Sequence, residues 1–134
     1  MQILLDSDVL SMIASGRAPA RIAEEVSRVV GPIYTTTVNW AEVCYGMARS
    51  PAGERLREGY ERYVLPAIEF LDFDRESAEV YGRLRAELEG RGTPLGEADL
   101  TIAAIALRHD LTLITGNVRH FQRVPGLRVE DWLR

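Results

Sequence analysis

The sequence lacks lysine altogether, since all sixteen of its basic residues are arginine. Any mechanism that requires a lysine side chain is therefore excluded. Cysteine is almost absent too: Cys44 is the only one, so an internal disulfide is impossible and a reducing cytoplasmic location is expected. With only His109 and His120 beside it, Cys44 cannot form a Cys/His structural zinc site.

Long apolar runs and an excess of positive charge are also missing. No apolar run approaches the roughly 18 residues of a membrane-spanning helix, and no signal peptide is visible, so no membrane association is expected. The net charge of −4 argues against a protein that coats nucleic acid by bulk electrostatics, although local basic patches stay possible. A length of 134 residues, 46% of them apolar, fits one globular domain over 1–134.

Short apolar runs alternate with helical patterns along the chain. Strands are predicted at 2–5, 33–36, 67–73, 111–115 and 127–129. Helices are predicted at 8–14, 18–30, from 38 or 39 to 49, from Pro51 through Val64, at 76–89 and at 97–109. This alternation predicts an α/β three-layer sandwich around a mostly parallel sheet of four to five strands. Such sheets bind ligands beyond the carboxyl ends of their strands, which directs attention to Asp6, Thr36 and Thr115.

Acidic residues stand where predicted strands end or helices begin. Asp6 and Asp8 follow the first strand, and either can cap the next helix. Glu42 is either a site residue or the third position of a capping box opened by Asn39, and Asp99 is either a site residue or a first-turn acid. Carboxylates gathered at one sheet edge repel one another unless a cation holds them, and all-oxygen ligands suit Mg²⁺ or Mn²⁺.

Four segments carry a resemblance to a known family. They are Leu4-Leu5-Asp6-Ser7-Asp8-Val9-Leu10, Asn39-Trp40-Ala41-Glu42-Val43-Cys44-Tyr45-Gly46, Asp99-Leu100-Thr101-Ile102-Ala103-Ala104 and Leu113-Ile114-Thr115-Gly116-Asn117-Val118-Arg119-His120-Phe121. Their order and spacing resemble the successive motifs of PIN-domain ribonucleases, in particular the VapC-type toxins of type II toxin–antitoxin pairs. The resemblance implies a Mg²⁺- or Mn²⁺-dependent endoribonuclease with a PIN-like fold. It also implies a homodimer, a cognate VapB-type antitoxin as inhibitor, and contact with operator DNA only through that antitoxin.

The same resemblance assigns roles to individual residues. Asp6, Glu42 and Asp99 would be the catalytic acids and would hold the metal, while Thr115 and Asn117 occupy auxiliary polar positions. His120 departs from the family pattern, which commonly has an acid before that phenylalanine; the histidine either assists the metal site or is a surface residue.

The expected reaction is metal-assisted hydrolysis of an RNA phosphodiester that leaves 5′-phosphate and 3′-hydroxyl ends. Arg91, Arg119 and Arg123 lie in loops beside the predicted site and are either RNA contacts or solvated surface residues. Asp6→Asn is expected to abolish cleavage and to leave the fold intact or stabilised. The antitoxin is expected to bring a basic residue to the acids and to cover an apolar groove near residues 40–47 and 52–64.

Other functions also fit parts of the pattern. Acids after a first strand are similar to the opening motif of haloacid-dehalogenase-like phosphatases and to response-regulator receivers, but both families rely on a lysine that this chain lacks. The remaining alternative is a PIN-like binding module that dimerises and forms antitoxin and operator-DNA complexes but cleaves poorly. His120 is the feature that favours this alternative.

Overall fold

A five-stranded parallel sheet forms the centre of the molecule in a computed structural model of the chain, which describes residues 1–134. The strands are β1 (Ile3–Leu5), β2 (Ile33–Thr36), β3 (Ile68–Leu71), β4 (Thr112–Ile114) and β5 (Val129–Glu130), in the spatial order β3-β2-β1-β4-β5. Every neighbouring pair is parallel. The predicted α/β fold is therefore confirmed, with all five strands present.

Seven α-helices connect and cover the strands. They are α1 (Ser7–Ala14), α2 (Ala20–Ser27), α3 (Thr37–Arg49), α4 (Gly53–Gly59), α5 (Arg75–Gly90), α6 (Glu97–Arg108) and α7 (Val118–Phe121). A π-helical turn (Tyr60–Val64) and a 3₁₀ turn (Leu65–Ala67) continue from α4 to β3. No helix of the chain is both long and apolar enough to cross a membrane.

Two apolar cores lie on opposite faces of the sheet. Along β1, Ile3 and Leu5 point to one face and Leu4 to the other, as the two-residue period of a strand requires. Ile3 and Leu5 pack with α1, α3 and the π-helical turn. Leu4 packs with the apolar sides of α5 and α6, which include Leu88 and Ile105. The result is three layers: helices, sheet and helices.

The strand order places a topological switch point between β1 and β4. The chain runs outward from β1 through β2 to β3, then crosses back to β4 and β5 on the other side of β1. The register pairs Leu5 with Ile114, so Asp6 and Thr115 follow the two adjacent strand ends. Ligands of open parallel sheets bind in the crevice outside such a point. The residues singled out in the sequence therefore stand at the mouth of this crevice.

Several predicted boundaries differ from the structure. The helix expected at 18–30 ends at Ser27, and the one expected from Pro51 begins at Gly53 and gives way to the π-helical turn. The strand expected at 127–129 is Val129–Glu130, and α7, in the fourth motif, was not predicted. The proposed capping box at Asn39 is wrong, because α3 begins earlier and Thr36 is its N-cap.

Candidate active site

Asp6 is the fixed point of the acidic cluster. Its side chain is only 9% exposed and accepts three hydrogen bonds. Oδ1 accepts from the Ser7 backbone N–H at 2.9 Å and from Asn39 Nδ2 at 2.8 Å, and Oδ2 accepts from Thr115 Oγ1 at 2.8 Å. A carboxylate offers about four lone-pair positions, so one, on Oδ2, stays free for a cation. Asp6 is also the N-cap of α1, so the two interpretations of this residue are compatible.

Asn39 is a further residue of the candidate site, although its position in the sequence predicted only a helix cap. It is fully buried, and its amide nitrogen contacts both Asp6 Oδ1 and Ser7 Oγ, the latter at 2.9 Å. Thr36 Oγ1 donates to Asn39 Oδ1 at 2.7 Å and accepts from the Asn39 backbone N–H at 3.0 Å. The N-cap of α3 therefore fixes the amide that orients Asp6.

Glu42 lies one helical turn after Asn39, on the exposed side of α3. Ser7 Oγ donates to Glu42 Oε1 at 3.0 Å, which holds the carboxylate over the start of α1. Partial burial raises the pKa of Glu42 most, and the negative charges of Asp6, Asp99 and Asp8 add to it, while the hydrogen bond from Ser7 lowers it. Glu42 and its neighbour Ala41 are both exposed, so the apolar residues around Glu42 in the sequence do not enclose it.

Asp99, in the first turn of α6, completes the cluster from the other side of β1. Its pKa is raised by partial burial and then by the charge of Asp6, while the nearby His120 lowers it. No hydrogen bond to the Asp99 carboxylate contributes to this pKa. His120 is half-buried, and its Nδ1 lies 2.9 Å from Asn117 Nδ2. The fourth motif thus places an imidazole close enough to Asp99 to act on its charge.

Asp8 is a fourth acid in the cluster. Its Oδ2 accepts from the Gly116 backbone N–H at 2.8 Å, which links the loop after β1 to the loop after β4. Burial raises the pKa of Asp8 most, the charge of Asp6 raises it further, and the N–H groups of Gly116 and Val9 lower it. The alternation Asp-Ser-Asp was the available signal for this role, but capping explained it equally well.

The three candidate RNA-binding arginines differ in their surroundings. Arg91 forms an ion pair with Glu87 at 2.8 Å, and Arg123 donates to the Pro94 carbonyl at 3.1 Å. Arg119 is exposed on α7, next to His120, and has no acidic partner. Of the three, Arg119 has the guanidinium that is freest to meet a phosphate.

The donor set suits a hard divalent cation. The side chains around Asp6 offer carboxylate and hydroxyl oxygens, which Mg²⁺ and Mn²⁺ prefer, and Cys44 is not among them. No three His, Cys, Asp or Glu side chains of the chain form a ready-made metal-ligand group. Glu42 would exchange its hydrogen bond with Ser7 for the cation in order to ligate it.

A model of the PIN domain family matches residues 3–127 of the chain. The chain belongs to the PIN-domain family. Among the relatives of this PIN-domain protein, the tRNA(fMet)-specific endonuclease VapC of Salmonella typhimurium is 33% identical over 132 residues, which cover 98% of each chain. Ribonuclease VapC2 of Haemophilus influenzae is 31% identical over 133 residues, 99% of each chain.

Solved structures agree with this assignment. The DNA-bound VapBC of Salmonella typhimurium aligns with a TM-score of 0.88 and 32% identity over 98% of each chain. VapBC2 of Rickettsia felis, bound to a fragment of its promoter, aligns with a TM-score of 0.89 and 28% identity over 98% of this chain and 99% of that one. The resemblance to VapC-type PIN domains predicted from the four motifs is therefore confirmed.

Proposed function

We propose that this PIN-domain protein is a metal-dependent endoribonuclease, the toxin of a type II toxin–antitoxin pair. The observation that carries the proposal is the gathering of Asp6, Glu42 and Asp99 at the switch point of the sheet. Burial raises the pKa values of Glu42 and Asp99, and the charge of Asp6 raises them further. Such clustering opposes stability without a cation, so a role in function explains it better than a role in folding. Relatives named as ribonucleases align over nearly the whole chain.

Asp6, Glu42 and Asp99 would hold the cation, with Mg²⁺ or Mn²⁺ as the ions that fit their oxygens. When bound, such an ion supplies Lewis-acid stabilisation of charge on the phosphoryl group and on the departing 3′ oxygen.

The chain's own residues divide the remaining work. Asp6 is held by Ser7, Asn39 and Thr115, so its free lone pair has a fixed direction. Thr115 also accepts from the Asn117 backbone N–H at 3.0 Å, which ties the loop after β4 to the same carboxylate. We assign Thr115 and Asn117 the task of keeping the site rigid.

His120 and the arginines would act on the charge of the RNA. His120 lies close enough to Asp99 to lower the pKa of that carboxyl, and its imidazole can donate or accept a hydrogen bond. Arg119 is adjacent to it and carries an unpaired guanidinium suited to a phosphate. Arg91 and Arg123 would have to leave Glu87 and Pro94 to do the same.

The proposed partners follow from the structures that the chain resembles, which are VapBC complexes, two of them with DNA. We propose a VapB-type antitoxin as inhibitor, a homodimer, and contact with operator DNA through the antitoxin. An apolar cleft of about 400 Å³ between α1, α2 and residues 63–68 offers a place for apolar antitoxin side chains. This cleft lies away from most of the segments 40–47 and 52–64 expected from the sequence. A cytoplasmic location fits the single cysteine.

The decisive experiment is cleavage of defined RNA by the purified chain freed of antitoxin. Initiator tRNA is the first substrate to test, because relatives at 33 and 34% identity are named tRNA(fMet)-specific endonucleases. We expect cleavage with Mg²⁺ or Mn²⁺, none with EDTA, and 5′-phosphate product ends. Asp99→Asn should abolish cleavage, whereas Glu97→Gln, an exposed acid two residues earlier on α6, should not. Equal activity of both variants, or activity in EDTA, would contradict the proposal.

A PIN-like binding module of low activity is the second candidate, favoured by His120 at the fourth position of the motif. It predicts antitoxin-dependent operator binding with no RNA cleavage by the free chain under any metal. The same assay therefore separates the two functions.

A further inference from the structure

A polar groove of about 590 Å³ opens directly from the acidic cluster. Asp8 and Glu42 line it, and so does Arg49, which follows Glu42 by about two helical turns on α3. Ser11, Ser50 and Tyr60, which carry hydroxyl groups, also line the groove. This groove lies between α1, α3 and the π-helical turn, and apart from Ser7, Asp8 and Glu42 no residue that lines it has a role proposed above.

Gly46 forms part of the groove, in the last turn of α3. Glycine is unfavourable inside a helix, so a packing contact usually explains it. Here none does, because a Cβ added at Gly46 would meet no atom of the chain within 4 Å. A methyl group would instead fill part of the groove. A residue larger than glycine at position 46 would therefore narrow the groove without meeting a packing clash.

Arg49 has the position and the unpaired charge of a phosphate ligand. It lies two helical turns beyond Glu42 on the same face of α3, a separation of about 10 Å along the axis. It has no acidic partner, and its guanidinium lies 5.0 Å from the centre of the exposed Tyr45 ring, which limits its motion. Because Glu42 and Arg49 line the same groove, a nucleotide chain with its scissile phosphate at the acids would direct an adjoining phosphate toward the Arg49 guanidinium.

We propose that this groove is the subsite for the nucleotide next to the scissile phosphate of a single-stranded RNA segment, with Arg49 as the ligand of its outer phosphate. This inference rests on the proposed ribonuclease function. The polar hydroxyl lining and the free guanidinium favour a nucleotide, with its hydroxyl-rich sugar and charged phosphate, over an apolar peptide.

The test uses an RNA oligonucleotide that spans the cleavage site mapped in the wild-type reaction. Arg49→Gln should raise KM about tenfold with little change in kcat, because the lost contact lies outside the bond that breaks. The neighbouring phosphates are replaced one at a time with neutral methylphosphonates. At one position this replacement should lower the kcat/KM of the wild type about tenfold. At that position the methylphosphonate should not lower the kcat/KM of Arg49→Gln, because this variant already lacks the contact.

Gly46→Ala provides a second, independent measurement. It should raise Tm by about 2–4 °C through better helix propensity, yet raise KM because the methyl group narrows the groove. Gly82→Ala is the matched control, since Gly82 is also inside a helix, α5, and also has open space around its Cβ. The control should gain the same stability and keep the wild-type KM.

The outcomes separate the two proposals. Cleavage that requires Asp99 but is unchanged by Arg49→Gln and Gly46→Ala would overturn the subsite and leave the ribonuclease intact. Variants that lose antitoxin affinity but keep wild-type KM would overturn it too, because the groove would then belong to the antitoxin. If no RNA is cleaved at all, the proposed function fails. Fluorescence anisotropy would then still test the groove, and equal RNA affinity of the wild type and Arg49→Gln would overturn it.

Discussion

Asp6→Asn and Asp99→Asn are the same chemical change at two acids of one cluster, yet the structure predicts opposite effects on stability. The Asp99 carboxylate makes no hydrogen bond that contributes to its pKa, which burial and the charge of Asp6 raise. Removing its charge should stabilise the metal-free protein by up to about 1 kcal/mol, a small value because solvent screens a half-exposed group. Asp6 instead accepts three hydrogen bonds, and its replacement should destabilise.

The size of the Asp6→Asn effect follows from Thr115. Its hydroxyl, fully buried, donates to Asp6 Oδ2, and the new amide nitrogen cannot accept that hydrogen bond. An unsatisfied buried donor costs about 1–3 kcal/mol, and loss of the negative charge at the start of α1 adds about 0.3–1 kcal/mol. Relief of repulsion offsets about 1 kcal/mol at most. The net loss is about 0.3–4 kcal/mol, and its midpoint of about 2 kcal/mol corresponds to about 8 °C in Tm. The three hydrogen bonds thus reverse the expectation, drawn from sequence, that this variant keeps or gains stability.

Thermal unfolding in EDTA, followed by circular dichroism at pH 7, measures both effects. The gain from Asp99→Asn should shrink as the pH falls toward about 4, since a raised folded-state pKa means that the wild-type carboxyl takes up its proton first in the folded protein. Mg²⁺ at ten times its Kd should stabilise the wild type by about 1.4 kcal/mol and Asp99→Asn by much less. An Asp6→Asn protein that melts at or above the wild-type temperature, or an Asp99→Asn protein that melts well below it, would refute this reasoning.

Three further changes test the supports of the site and fold. Asn39→Ala should lower Tm through a loss of about 2–4 kcal/mol, because a buried amide bonded to a carboxylate disappears, and should reduce kcat more than KM in the RNA assay. Asp74, the N-cap of α5, accepts the Ser77 backbone N–H at 2.8 Å, and hydrogen bonding from Ser77 lowers the pKa of this carboxyl. Its stabilisation should be complete above about pH 4 and vanish as acid protonates it, so acid unfolding of Asp74→Ala should begin with a shallower slope. Gly59→Ala should lower the free energy of unfolding in urea by about 1–3 kcal/mol, because the new Cβ would collide with the Ala14 carbonyl.

Local patterns predicted the elements that depend on them. The bounds of β1 and β4 were predicted to within one residue at each end. Both strands are buried at every residue, so their sequences are predominantly apolar runs without the spacing of an amphipathic helix. The helix α6 was placed well for the same reason. The π-helical turn and α7 were missed: Tyr60 and Val64 continue the helical spacing of α4, and a four-residue helix has no period to detect.

The candidate site was predictable only in part, because its acids follow strand ends whereas their supports depend on tertiary contacts. Asp6 could be expected at a strand end from its neighbours in the chain. The bond from Asn39 to Asp6 spans 33 residues and that from Gly116 to Asp8 spans 108, and no local pattern encodes either. The start of α3 shows the same limit: the strand end at Thr36 was predicted, but the local pattern favoured Asn39 as the cap, whereas the Thr36 hydroxyl accepts the Asn39 N–H.

These contacts explain how the sheet edge can hold the Asp6 carboxylate rigidly although the negative charges of the acidic cluster repel one another. Asp6 is fixed by donors from α1, α3 and the end of β4, so the three elements that meet at the switch point share one carboxylate. Asp99 lacks comparable support, and Glu42 has a single hydroxyl partner, so both can rearrange around that fixed point. A cation that binds this cluster would therefore find one preset ligand and two adjustable ones. Because the donors to Asp6 come from separate elements, a change in any of them should disturb the geometry of the site as well as the stability of the fold.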